Sequence, residues 1–304
     1  MINVIFMGTP DYAQKILQRL IDTEDINVTA VYTQPDKPVG RKKILTPPPV
    51  KTIAQEHNIP VYQPKRLRDE ETIQEVLQIK CDYIVVAAYG QILPQKILDH
   101  APCINLHASI LPQYRGASPI QQTLLNGDKK TGVTAMLMEE GLDTGDILKI
   151  ETIDVADDMM VEELFEKLTQ TAADLTIDVL HKFESYTPKK QDEAEATHCK
   201  KITKADGEVS LENALEVYNK YRAFTPWPGV YLSSGLKLKE MKLESADGVH
   251  EEAGKIIAID KKSIVVTCKQ GSLRIYKVQP QSKKEMDVLS YINGKRVSLE
   301  DTLF

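Results

Sequence analysis

The chain has 304 residues and a formal net charge of -6, with 42% hydrophobic and 27% charged residues. This composition is typical of a globular protein and excludes a largely disordered chain, and the length favours two domains over one. The sequence has neither an apolar run long enough to span a bilayer nor an N-terminal secretory signal, so we expect a cytoplasmic protein with no membrane association.

The first part of the chain alternates between predicted strands and helices. Short apolar runs predict strands over residues 2–7, 28–33 and 83–88, and the last of these is continuous enough for burial on both faces of a parallel sheet. Apolar residues at helical spacing predict helices after residue 10, over residues 50–57 and over residues 70–79. This alternation predicts an α/β, doubly wound domain.

The later part of the chain changes character twice. Further strands are predicted over residues 103–107, 132–138 and 147–153, with helices over residues 118–126 and 160–183. Residues 186–208 have few periodic apolar positions, and from residue 229 onward short alternating segments are separated by Gly, Asn and Asp. We predict a first domain over residues 1–185, a linker over residues 186–208 and a small C-terminal β-barrel domain over residues 209–304.

The cysteines give no indication of a metal site. Cys81, Cys103, Cys199 and Cys268 have no CxxC spacing and no Cys/His cluster with the spacing of a zinc site. Thiolate metal sites need such spacing, so we expect free thiols and no bound metal.

The basic residues are concentrated in one segment of this acidic chain. Residues 34–68 contain eight basic and two acidic residues, and the run GRKKIL lies between prolines at positions 35 and 38 and prolines at positions 47 to 49. Charge runs are usually solvated loops. Prolines stiffen a loop, however, and a stiff loop can present Arg41, Lys42 and Lys43 to phosphates.

The strongest candidate for chemistry lies at the end of the strand predicted over residues 103–107. Alternate side chains of a strand share a face, so Asn105 and His107 project to the same side. Asp143, in the Gly-flanked loop GLDTGD, can bring a carboxylate to the same place. An amide, an imidazole and a carboxylate with no Ser or Cys nucleophile beside them suit acyl transfer without a covalent enzyme intermediate. A histidine on an apolar strand is also common as a structural residue, so spacing alone leaves both interpretations open.

Six motifs together extend over most of the chain: MGTPDYA, TQPDKPVGRKK, VVAAYGQILP, NLHASILPQYRGASPIQ, GLDTGD and RAFTPWPG. In this order they resemble the folate-dependent formyltransferases, and among them those that act on methionyl-tRNA. The resemblance implies a Rossmann-like, mostly parallel N-terminal domain and a C-terminal barrel of the OB type. It also implies 10-formyltetrahydrofolate as co-substrate and initiator methionyl-tRNA as acceptor, in the service of translation initiation. We expect a monomer.

The resemblance also assigns roles to individual residues. The catalytic residues of the family fall on Asn105, His107 and Asp143, and the tRNA-binding loop falls on residues 34–49 with Arg41, Lys42 and Lys43. The folate-binding residues fall on two strand ends and one loop: Ser109, Ile110, Leu111 and Pro112, then Val86, Ala87, Ala88 and Tyr89, then Gly141 and Leu142. Ile110 departs from the family's usual Leu but keeps apolar volume.

The resemblance implies direct attack of the methionine amine on the formyl carbon. Asn105 and a protonated His107 would stabilise the oxyanion of the tetrahedral intermediate, and Asp143 would handle charge and the proton, directly or through water. Three alternatives stay open: formyl transfer to a small amine such as a nucleotide-linked amino sugar or a purine precursor, hydrolysis that releases formate, and RNA binding without catalysis. The catalytic residues do not separate transfer to a small amine from transfer to tRNA.

Overall fold

The computed structural model describes residues 1–40 and 42–303, so the predicted role of Arg41 lies outside the described residues. The chain forms two compact units. The first unit contains residues 1–119, 130–155 and 162–199, and the second contains residues 120–129, 156–161 and 200–304. Each unit is therefore built from more than one stretch of sequence.

The strands of the first unit and the α-helices of both units have the following bounds. The strands are β1 Ile2–Gly8, β2 Ile26–Tyr32, β3 Lys37–Val39, β4 Ile44–Thr46, β5 Val61–Tyr62, β6 Tyr83–Ala87, β7 Cys103–His107, β8 Arg115–Gly116, β9 Lys130–Leu137, β10 Ile147–Asp154 and β11 His198–Cys199. The α-helices among the described residues are α1 Asp11–Ile21, α2 Pro49–Glu56, α3 Glu70–Gln78, α4 Gln95–Leu98, α5 Pro119–Asn126, α6 Val161–Lys182, α7 Ala214–Phe224 and α8 Val288–Lys295.

A seven-stranded sheet in the order β10-β9-β7-β6-β1-β2-β5 organises the first unit. The pairs from β7 through β5 are parallel, while β9 is antiparallel to both β7 and β10. Residues 4–7 of β1 and residues 84–87 of β6 are buried because the strands are apolar on both faces. This mostly parallel sheet with helices confirms the predicted Rossmann-like class and places the ends of β6 and β7 side by side.

Two regions of the first unit differ from a simple strand and helix alternation. The predicted basic loop contains a short antiparallel hairpin, β3 with β4, and Pro49 then occupies the first turn of α2. Farther along, β11 pairs in parallel with β8, so residues 198–199 lie beside residues 115–116, which follow β7 in the sequence. Strands of two or three residues carry too little periodicity to be predicted from a sequence.

The second unit contains an antiparallel sheet. Its strands are β12 Val230–Tyr231, β13 Lys237–Val249, β14 Ile256–Ile259, β15 Ile264–Thr267, β16 Gln270–Gln279 and β17 Met286–Asp287. The order is β12-β13-β16-β15-β14, with β17 paired to β16. The pairing of the long strands β13 and β16 is interrupted by register shifts, and such irregularities bend a sheet.

Among the described residues, the helices are all too short or too polar to cross a membrane.

Candidate active site

The end of β7 positions two of the predicted catalytic side chains on one face of the sheet. Asn105 is paired with Val86 of β6 on one side and with Met136 of β9 on the other, and His107 is paired with Thr134 of β9. In a strand, residues two apart share a face, so the amide and the imidazole project together. Asn105 is partly exposed, while His107 is 7% exposed.

The two ring nitrogens of His107 have different neighbours. Nε2 lies 2.9 Å from the carbonyl oxygen of Tyr114. Because a carbonyl oxygen can only accept, Nε2 carries a hydrogen in this arrangement. Nδ1 lies 3.7 Å from Oδ2 of Asp143, which is close enough for an ion pair and longer than a hydrogen bond. Nδ1 is thus the nitrogen that faces Asp143.

Asp143 is held at the site by hydrogen bonds to its carboxylate. Oδ2 accepts a hydrogen bond of 2.8 Å from the backbone N–H of Gly116, and Oδ1 lies 3.4 Å from Nδ2 of Asn105. The side chain is largely withdrawn from solvent, with 9% of the residue exposed. The three predicted catalytic residues therefore meet around one carboxylate.

The backbone of the loop after β9 brings Asp143 to this place. Asp143 has a φ of 57°, in the left-handed region that few residues other than glycine and Asn or Asp adopt. A Cβ on Gly145 would lie 1.7 Å from the carbonyl oxygen of Leu137, so this position requires glycine. The Gly-flanked pattern in the sequence therefore reflects a tight turn.

The predicted folate-binding turn after β7 is held by one threonine. Oγ1 of Thr134 donates to the carbonyl oxygen of Ser109 at 2.7 Å and accepts from the backbone N–H of Leu111 at 3.1 Å. The Ser109 hydroxyl donates to the carbonyl oxygen of Gln113 at 2.6 Å, so it serves the turn itself. Ser109 and Leu111 are buried, while Ile110 and Pro112 are partly exposed.

The predicted folate-binding residues of β6 begin inside the sheet and end at its edge. Val86 and Ala87 are buried, Ala88 is exposed with a φ of 46°, and the Tyr89 side chain turns inward again. The carbonyl oxygen of Tyr89 accepts hydrogen bonds from Thr9 and Gln34. Burial raises the pKa of the Tyr89 phenol, whose oxygen has no hydrogen-bond partner among the described residues. In the third predicted group, Gly141 and Leu142 are both exposed.

The hairpin of β3 and β4 presents its turn to solvent. Lys42 and Lys43 are exposed, and so are the apolar side chains of Val39, Ile44 and Leu45. At the base of the hairpin, Gln63 and Lys51 donate to the Asp36 carboxylate and hold its pKa below the usual range. The predicted phosphate-binding lysines therefore stand on an anchored hairpin.

A second layer of residues reaches the site from a segment that the sequence predicts to be a linker. The side-chain amide of Gln191 donates to the carbonyl oxygens of Asp143 and Gly145, at 2.8 Å each. The Arg115 side chain, which is 2% exposed, binds both Gln191 and Glu193. None of these three was predicted, because each acts through contacts with residues far away in the sequence.

The structure also contains a cavity away from these residues. It has a volume of about 590 Å³, lies in the second unit, and is lined by Ser234, Leu236, Pro280, Gln281, Lys283, Met286, Ser290, Tyr291, Gly294 and Lys295. None of the predicted catalytic or folate-binding residues lines it.

Among the described residues, no group of three or more His, Cys, Asp or Glu side chains is arranged to hold a metal ion.

Two family models match the chain, formyl transferase over residues 2–180 and formyl transferase, C-terminal domain, over residues 201–296. The methionyl-tRNA formyltransferase of Sulfurimonas denitrificans is 65% identical over 301 residues, covering 99% of each chain. That of Campylobacter jejuni strain RM1221 is 51% identical over 303 residues, again covering 99% of each.

Solved structures share the fold at much lower identity. An N-formyltransferase from Helicobacter canadensis, crystallised with folinic acid and dTDP-3-aminofucose, superposes with a TM-score of 0.68 at 17% identity, covering 91% of this chain and 99% of that one. HypX from Aquifex aeolicus in complex with tetrahydrofolic acid superposes with a TM-score of 0.59 at 14% identity, covering 99% of this chain and 48% of that one.

Proposed function

Because the chain belongs to the formyl transferase family, we propose that it transfers the formyl group of 10-formyltetrahydrofolate to the α-amino group of methionyl initiator tRNA. The product is N-formylmethionyl-tRNA, the aminoacyl-tRNA used for translation initiation. The observation that carries the proposal is the meeting of Asn105, His107 and Asp143 at the end of β7, in a chain 65% identical to a methionyl-tRNA formyltransferase over its whole length.

In the proposed reaction the methionine nitrogen attacks the formyl carbon and the bond from that carbon to the folate nitrogen then breaks. An α-amino group has a reference pKa of about 7.7 to 8.0, so a useful neutral fraction exists near neutral pH without a strong base. The attack places negative charge on the formyl oxygen. The Asn105 amide and the Nδ1–H of a protonated His107 are donors on one face that can stabilise this charge.

Asp143 has two roles in this proposal. Its carboxylate lies 3.7 Å from Nδ1 and balances the positive charge of the His107 imidazolium. In this imidazolium the Nε2–H donates to the Tyr114 carbonyl oxygen, and the Nδ1–H is available to the substrate. Asp143 also accepts the proton that the attacking amine loses, directly or through water, and passes that proton to the folate nitrogen as its bond to the formyl carbon breaks. No covalent enzyme intermediate is needed because the nucleophile belongs to the substrate.

The predicted binding residues extend the proposal to the two substrates. The folate would contact residues 109–112, residues 86–89 and the exposed Gly141 and Leu142. The tRNA phosphates would contact Arg41, Lys42 and Lys43, which are consecutive in the sequence. We assign tRNA binding also to the C-terminal domain, residues 209–304, and we propose that the protein acts as a monomer in the cytoplasm.

A formylation assay with three acceptors tests the proposal. Wild-type protein and 10-formyltetrahydrofolate are mixed separately with methionyl initiator tRNA, methionyl elongator tRNA and a nucleotide-linked amino sugar. We expect the highest kcat/KM with the initiator tRNA. A higher kcat/KM with the amino sugar would contradict the acceptor assignment, and release of formate without any amine would instead indicate a hydrolase.

A further inference from the structure

Residues 189–199, here called the return segment, pass beside Asp143 and belong to the same compact unit. The segment begins with paired backbone hydrogen bonds between Lys189 and Ile147, at 2.8 and 2.9 Å. It ends where β11 pairs with β8. Between these two anchors, Gln191 is placed against the loop that carries Asp143.

All four hydrogen-bonding positions of the Gln191 side-chain amide are used. Its nitrogen donates to the carbonyl oxygens of Asp143 and Gly145, and its oxygen accepts from Nε of Arg115 at 3.0 Å and from Nη2 at 2.9 Å. Since a guanidinium can only donate, the amide oxygen must face Arg115 and the nitrogen must face the loop. The orientation of the amide is therefore fixed by chemistry as well as by distance.

Arg115 is in turn held by Glu193. Nη1 and Nη2 of the guanidinium donate to the two carboxylate oxygens at 2.9 and 2.7 Å, a two-pronged pairing that holds the pKa of the Glu193 carboxyl below its usual range. The Arg115 side chain is 2% exposed and the Glu193 side chain is 72% exposed. A buried charge with this many partners fixes the rotamer of the arginine.

Arg115 and Gly116, which are adjacent in the sequence, hold Asp143 from two directions. The backbone N–H of Gly116 binds Oδ2 of the carboxylate, while the side chain of Arg115 reaches the backbone of Asp143 through Gln191. Asp143 thus has both its side chain and its left-handed backbone tied to residues 115–116. A carboxylate must be held to within about 0.5 Å to act reliably on a neighbouring imidazole.

From this geometry we propose that Gln191 is a positioning residue for catalysis. Gln191 binds the carbonyl oxygens of the loop that carries Asp143 and thereby sets the position of the Asp143 carboxylate. Arg115 fixes the orientation of the Gln191 amide. Gln191 touches neither substrate nor the reacting atoms in this scheme and acts through Asp143. The inference rests on the proposed function, because it concerns the residue to which formyl transfer assigns the charge and proton role.

The test uses Gln191→Glu, which keeps the shape and can still accept from Arg115 but cannot donate to the two loop carbonyls. We expect kcat to fall by at least about tenfold, with the KM for folate and for tRNA within about twofold of wild type. Glu195→Gln is the matched control on the same segment. Glu195 is exposed, and its side chain makes no hydrogen bond or ion pair with any described residue, so we expect unchanged turnover.

A double-mutant cycle separates positioning from a general structural role. In an Asp143→Asn background, Gln191→Glu should lower kcat by less than about twofold, because the carboxylate through which Gln191 acts is already gone. Equal fold-losses in both backgrounds, or near-normal kcat for Gln191→Glu alone, would overturn the inference. If Gln191→Glu does not fold, Gln191→Met is carried through the same cycle.

These outcomes also separate the inference from the proposed function. Wild-type protein that transfers no formyl group to any amine would end the proposed function itself. Wild-type protein that transfers formyl normally, with a Gln191 variant of equal turnover, would end the positioning role and leave the proposed function intact.

Discussion

Each nitrogen of the His107 imidazole has a distinct neighbour, and this difference decides which one is available to a substrate. Nε2 is engaged by the Tyr114 carbonyl at 2.9 Å, while Nδ1 has a carboxylate at 3.7 Å, beyond hydrogen-bond length. A substrate oxygen can therefore compete for Nδ1 without breaking the bond that orients the ring. The carbonyl oxygen of Tyr114, a buried residue, therefore orients the imidazole ring.

His107→Ala should lower kcat by about a hundredfold to a thousandfold, the usual loss when one oxyanion donor is removed. Binding of folate and tRNA should persist, because neither is assigned to the imidazole. Single-turnover formylation and equilibrium binding of each substrate give the two quantities. His57→Ala is the control, since His57 is exposed at the end of α2, and a near-normal rate for His107→Ala would refute the catalytic role.

The residues that the sequence could predict are those whose spacing is local. Asn105 and His107 lie two apart on one strand, and Asp143 lies between glycines, so their chemistry is visible in short stretches. Gln191 is 48 residues from Asp143, and Arg115 is 78 residues from Glu193. Nothing in a polar segment of mixed charge distinguishes a side chain that packs against a loop from one that remains in solvent.

At the scale of elements, the loop after β9 has to make a tight turn, and glycine permits it. Gly145→Ala should lower the free energy of unfolding by about 1–3 kcal/mol, because a Cβ would meet the Leu137 carbonyl and the backbone must shift. It should also lower kcat, since Asp143 lies two residues away. Thermal unfolding and steady-state kinetics measure both effects.

Gly294→Ala serves as the control for that substitution. A Cβ there would have no heavy atom within 4 Å apart from its chain neighbours and the nearby backbone of its own helix, α8. Alanine favours a helix, so stability should be unchanged or slightly higher. If Gly145→Ala behaved like Gly294→Ala in both stability and turnover, the loop would not constrain Asp143 as argued.

The hairpin of β3 and β4 is the element assigned to the tRNA. Replacing Lys42 and Lys43 by Ala should raise the apparent KM for tRNA at least about fivefold, because each bound phosphate adds to affinity, and leave the KM for folate within about twofold. Lys15 and Lys80, both exposed, are replaced together as a charge-matched control. Equal changes in both Michaelis constants would argue against a specific role for the hairpin.

Elements were predictable where their periodicity extends over several residues. The predicted strand over residues 103–107 coincides with β7, and the predicted helix over residues 160–183 coincides with α6 to within one residue at each end. The hairpin and the pairing of β8 with β11 were not predicted. Two- and three-residue strands are stabilised by partners elsewhere in the chain, and a sequence pattern does not contain those partners.

At the scale of the whole molecule, the two compact units draw on separated stretches of sequence. Residues 120–129 and 156–161 are grouped with the second unit. Within that unit the buried Arg222 donates to the carbonyl oxygens of Leu124 and Met159 and to the side chain of Asn219. Burial lowers the pKa of this guanidinium by desolvation. Hydrogen bonds to carbonyl oxygens reduce the free-energy cost of burying such a charge. A sequence read in order assigns neighbours in the chain to one domain, so it does not anticipate this grouping.

The distribution of charge predicts how salt affects the two substrates. The chain is acidic overall at -6, yet residues 34–68 have eight basic residues and two acidic ones. A polyanion bound by such a segment releases counterions on binding, so its affinity for the protein falls steeply as salt rises.

Removing one lysine that binds a phosphate should reduce the slope of log affinity against log salt by about 0.7 to 0.9. We therefore expect the apparent KM for tRNA to rise with salt, and to rise less steeply when Lys42 and Lys43 are replaced by Ala. The measurement is a series of kinetic assays from low to moderate salt, with the KM for folate followed in parallel. Identical tRNA slopes for the wild type and for this variant would mean that the lysines bind no phosphate, however exposed they are.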